Sequence, residues 1–134
     1  MKHAWILILF GLAGQALAKA PDTEECEGKI SNLEMAQCFD LLKQKREAEI
    51  EKLYQAALAK MPEKADDSRS SVKQFIKEHS AWKQYAHEHC AFFAGLMEGK
   101  SSWIDTSELR CDLRELDARI AFLSDLPWNP EKAR

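Results

Sequence analysis

No stretch of this 134-residue chain alternates apolar and polar residues over a useful length, which argues against a sheet-based fold. Internal repeats and low-complexity tracts are missing as well, which excludes solenoids and compositionally biased disorder. The sequence lacks HExxH, GxSxG and phosphate-cradling glycine loops. Its acids fall at the ordinary spacing of solvated helix faces, so no catalytic residues are expected. Four cysteines are present, yet none forms a CxxC pair, and neither a metal nor another cofactor is expected. There is no basic excess either: 19 Lys and Arg stand against 22 Asp and Glu, for a net charge of −3, so nucleic acid is not an expected partner.

The one long apolar run is at the start. Met1-Lys2-His3 carries a cation, Ala4 to Gly14 is apolar, and Ala16-Leu17-Ala18 has the small-x-small form of a signal-peptidase site. The mature chain is expected to begin at Lys19, because cleavage after Ala20 would place Pro21 directly behind the cut. The first cysteine, Cys26, follows Glu24-Glu25 rather than the small apolar residues of a lipoprotein signal, so no lipid anchor is expected. No later segment is apolar enough to span a bilayer, so membrane insertion after cleavage is not expected. The expected compartment is the periplasm or the exterior.

What remains has the size of one domain. Residues 1–18 are read as the signal, 19–30 as an N-terminal segment, 31–124 as a three-helix domain and 125–134 as an irregular tail. Ser31-Asn32-Leu33-Glu34 has the Ser-x-x-Glu form of a capping box and predicts a helix start. Met35, Cys38, Phe39, Leu42, Ile50, Leu53, Tyr54, Ala57 and Met61 then recur at helical spacing, interrupted by the mixed-charge run Lys43 to Glu51, which reads as a solvated face. Pro62 stops this helix. A polar connector follows, with Asp66, Asp67 and Ser68 as candidate N-caps.

The second long helix carries Val72, Phe75, Ile76, His79, Trp82, Ala86, Cys90, Phe93 and Met97, with Gly99 as its expected stop. Lys100 to Ile104 are expected to form a loop bearing Trp103, before a capping signature at Asp105-Thr106-Ser107-Glu108. Leu109, Leu113, Leu116, Ile120 and Leu123 then alternate spacings of four and three, a seam for another helix. The expected architecture is all-α: a long antiparallel helical hairpin plus a third helix, stapled by two disulfides.

An even set of cysteines in an oxidising compartment predicts two bridges. In a hairpin that turns near Lys64, Cys38 and Cys90 lie equally far from the turn and therefore at the same height. The expected pairs are thus Cys38 with Cys90, and Cys26 with Cys111.

With these elements in place, the chain resembles the secreted LprI-type lysozyme inhibitor N-terminal domain family, from Cys26 to about Leu123. The likeness is carried by Cys26 and Cys38 around a capped helix start, by Tyr54, by Trp82 with Tyr85 and Cys90, and by Cys111 with Arg119 and Leu123. The sequence departs from the family pattern at Glu51, at Ala86-His87 and at Leu116. The resemblance implies an exported helical protein-binding module, with a basic protein such as a lysozyme as partner. The alternatives are a metal- or ligand-binding periplasmic protein using His79, His87 and His89, or an envelope protein of structural or stress role. His87 and His89 cannot share one ion on a helix, since residues two apart point about 200° apart. Trp103 and Trp128 are expected either to cap the bundle or to contact a partner. Oligomeric state is left open.

Overall fold

The computed structural model describes residues 21–61, 71–96 and 101–126. Four helices occupy them: α1 (Pro21–Glu27), α2 (Asn32–Lys60), α3 (Ser71–Gly95) and α4 (Ser101–Ser124). The signal segment, Pro62, the cap candidates Asp66, Asp67 and Ser68, Met97, Gly99 and the tail beyond Leu126, with Trp128, lie outside the described residues. Among those described there is no strand, and no helix is long and apolar enough to cross a membrane.

The start of α2 follows its capping signature. The Glu34 amide donates to Ser31 Oγ at 3.2 Å, and the Ser31 amide donates back to the Glu34 carboxylate at 3.2 Å. At the other end Met61 leaves the helix with extended dihedrals, φ −74° and ψ 132°, as the steric demand of the following proline requires. Two boundaries differ from expectation. The last helix starts at Ser101, so Trp103 sits on its first turn rather than in a loop, and Thr106 and Ser107 are buried inside the helix rather than capping it. No Gly or Pro stands between Ser101 and Asp105 to prevent that extra turn. At the end of α3, the helix stops at Gly95 instead of running on to Gly99, consistent with the poor helical propensity of glycine.

The all-α architecture with two disulfides is as expected, and within it the last helix, α4, is the common neighbour of α2 and α3. Lys43 meets Asp112 and Arg46 meets Asp117, so α2 and α4 run parallel. His89 approaches Glu115 and Glu78 meets Arg119, so α3 runs antiparallel to α4. Ile50 and Ala57 of α2 with Met61 just past its end, Phe75 of α3, and Leu116 and Leu123 of α4 form one core cluster. Phe39 and Leu42 close a second with Leu113 and Cys26.

This arrangement overturns the expected disulfides: the bridges are Cys26–Cys38 and Cys90–Cys111, with Cα separations of 5.5 and 5.4 Å. Equal height along a hairpin is insufficient when α4 lies against both of its arms. Cys90 faces the first turns of α4 and meets Cys111. Cys38 instead meets Cys26, because residues 21–27 form a helix that folds back onto α2. Arg46 reinforces that fold-back by gripping both oxygens of Asp22 at 3.0 and 2.8 Å, while its Nε donates to Asp117 at 2.6 Å. One side chain of the supposedly solvated charge run thus ties α1, α2 and α4 together.

Candidate functional site: a groove over the last helix

Where α2 and α3 stand apart, α4 forms the floor of a groove of about 460 Å³. One wall is a single face of α2, with Lys43, Glu47, Ile50 and Glu51 at the three- and four-residue spacings that align side chains on a helix. The other wall is α3, where Trp82 and Ala86 form one row and Lys83 and His87 the next. Asp112, Glu115 and Leu116 come from α4. Apolar Ile50, Ala86, Leu116 and the indole therefore alternate with charge.

Carboxylates outnumber ammonium groups in this lining, four against two. Lys43 and Asp112 neutralise each other at 2.6 Å. Burial works against the charged form of Lys43, yet its pKa is raised, because the Asp112 bond and charge dominate and Glu47 and Glu108 add to them. Glu51 accepts from Gln55 on its own helix at 2.9 Å, and Glu115 lies 3.7 Å from His89. Glu47 and Lys83 have no ion pair among the described residues.

Toward Met61, α2 and α3 are joined by aromatic contact. Tyr54 of α2 stacks on Phe75 at 5.2 Å and on His79 at 4.0 Å between ring centroids. Behind Trp82 lies a buried polar cluster. Arg119 donates to the two oxygens of Glu78 at 2.6 and 2.7 Å and, through Nη2, to His79 Nδ1 at 2.9 Å. Because a guanidinium can only donate, Nδ1 must accept, and the neutral imidazole carries its proton on Nε2. That Nε2 and the Arg119 Nε are buried and have no hydrogen-bond partner among the described residues. Burial lowers the His79 pKa, helped by the nearby charges of Arg119 and Lys83 and opposed by Glu78 and Glu51.

Tyr54, Trp82 and Arg119, three of the residues that carry the family resemblance, are thus brought together around His79. Tyr85, which carries the resemblance with them, is instead exposed on α3 and stacks on His89 at 5.4 Å. Glu51, Ala86, His87 and Leu116, the positions expected from the sequence to differ from the family pattern, all line the groove. The three histidines are not gathered: His79 is buried against Arg119, His87 lines the groove and His89 faces Glu115. Among the described residues no group of three His, Cys, Asp or Glu side chains could hold a metal ion. The sequence places Glu47 and Glu51 in a run read as a solvated face and does not single out Lys83; the signal that could have found all three is the helical spacing that puts them beside Ile50 and Ala86.

Fold and site define a small all-α domain with two disulfides and an acidic surface groove that also carries apolar side chains. Residues 24–123 match the family described as Lysozyme inhibitor LprI, and the chain belongs to that family. No curated protein and no solved structure matches it.

Proposed function

We propose that this protein is an exported binding module that inhibits a lysozyme in the periplasm or outside the cell. The observation that carries the reading is the family match, which runs from the turn of α1 beside Cys26 to Leu123 near the end of α4 and so takes in both disulfides and the groove. An inhibitor of this kind is not an enzyme. Glycan cleavage relies on a pair of carboxylates flanking the scissile bond, and covering them is enough to stop it.

Two features suit the task. Cross-linked helices lose little conformational freedom on association, which leaves more of the contact energy for affinity. A net charge of −3 favours encounter with a basic partner. Both bridges belong to an oxidising compartment, in keeping with the signal-like first 18 residues. The test is to follow the fall in turbidity of a cell-wall suspension under lysozyme with and without the mature chain from Lys19. Slower clearing supports the reading; unchanged clearing across several lysozyme types overturns it.

A further inference from the structure

We infer that the groove over α4 receives a single protruding lysine or arginine side chain of the basic protein partner, an assignment that rests on the protein-binding reading above. The volume of about 460 Å³ falls within the roughly 300–1,000 Å³ of ordinary ligand sites and accommodates one long side chain with room to spare. Lysine and arginine have an apolar stem and a charged head, and such side chains lay the stem on apolar surface while the head stays with polar groups. The groove has the matching layout. Ile50, Ala86 and Leu116 with the Trp82 indole offer the stem a surface, and Glu47, Glu51 and Glu115 offer the head three carboxylates.

Charge balance selects the sign of the occupant. Asp112 is already neutralised by Lys43 at 2.6 Å, so the remaining lining has three carboxylates against the Lys83 ammonium. An anionic group meets repulsion here, and a cation gains charge attraction that an uncharged saccharide, limited to hydrogen bonds with the same carboxylates, does not. Trp82 is also fixed in place, because Arg119 lies over its ring at 4.9 Å and is itself held by Glu78 and His79. A rigid aromatic wall of this kind is a common binding anchor, and beside it Glu47 has no ion pair among the described residues while Glu51 is held only by the neutral Gln55 amide.

Two measurements on the mature protein decide the matter. In the first, capped arginine (N-acetyl-arginine methylamide) is titrated while the Trp82 indole N–H and the Ala86 amide are followed by NMR. Shifts at both are expected, and they should vanish in Glu47→Gln/Glu51→Gln. No shift, an equal shift in that variant, shifts with N-acetylglucosamine trimer instead, or groove shifts that track protein concentration without probe would each overturn the assignment, the last pointing to a second copy of the chain.

In the second, lysozyme affinity is compared for Glu47→Gln/Glu51→Gln and for the charge-matched Glu49→Gln/Glu88→Gln, whose side chains are exposed outside the groove. The groove variant should bind about tenfold more weakly and the control within about twofold of the original, both with unchanged melting. Equal losses in the two variants would sink the groove while leaving lysozyme binding intact. Failure of the unmodified protein to bind any lysozyme would sink the functional reading instead, with the capped-arginine titration still judging the groove.

Discussion

The guanidinium of Arg119 stands 4.9 Å from the centroid of the Trp82 indole, and its side chain is only 3% exposed. A charge so deeply placed persists because its surroundings act together: both oxygens of Glu78, the Nδ1 of His79, and the faces of Trp82 and Phe122. Desolvation of a lone cation would outweigh any one of these contacts. The same cluster that stabilises the α3–α4 contact therefore also sets the wall of the groove.

Arg119→Ala should cost about 3 kcal/mol of folding stability, since it strands His79 and removes the support of Trp82. Arg119→Lys should recover only part of this, because an ammonium lacks the planar fork that serves Glu78 and His79 at once. Urea unfolding of the two variants measures both; a loss below about 1 kcal/mol in the alanine variant would contradict the role given to Arg119.

His79 makes stability depend on pH in a predictable direction. Its folded pKa lies below the ordinary 6.5, so just beneath pH 6.5 the unfolded chain binds more protons than the folded one. The stabilising contribution is complete above about pH 6.5, is lost as pH falls from there to the lower folded pKa, and changes no further below it. His79→Gln keeps an acceptor for Arg119 but cannot titrate. Its urea midpoint should drop less between pH 7 and pH 5 than that of the unmodified protein, and an identical drop would remove His79 as the cause.

Each disulfide closes a short loop, with sequence separations of 12 and 21 residues. In the chain-entropy model each contributes roughly 3 kcal/mol. Replacing either pair by serine should lower stability by about that amount, and replacing both should approach additivity because the bridges join different helix pairs. Peptide mapping under non-reducing conditions should find Cys26 linked to Cys38 and Cys90 to Cys111. Any Cys38–Cys90 peptide would contradict the structure.

Much of the fold was legible because helical periodicity is a local signal. Phe39, Leu42, Ile50, Ala57, Phe75, Leu113, Leu116 and Leu123 were all expected on apolar stripes and all are buried. The disulfides were misassigned for an instructive reason. Symmetry about a turn was applied only to the turn near Lys64, whereas each observed bridge is nearly symmetric about its own: the capped start of α2 for Cys26–Cys38 and the α3–α4 connection for Cys90–Cys111. The groove was not legible at all, because it exists only where α2 and α3 stand apart over α4, a tertiary relationship to which sequence spacing is blind. Arg46 was hidden likewise, because an arginine on a helix reads as solvated until its carboxylates on other helices are located; Arg119 was singled out by the family resemblance, but its partners Glu78 and His79 were not.

The central claim, that a basic lysozyme is held at the groove, is tested most directly by carbodiimide coupling, which joins a carboxylate to an amine only when the two touch. Mature protein and lysozyme would be mixed, coupled and digested, and the joined peptides identified by mass spectrometry. The account predicts lysozyme lysines attached to Glu47, Glu51 or Glu115. Coupling confined to exposed acids away from the groove, such as Glu24, Glu25 or Glu88, or no coupled species at all, would contradict it.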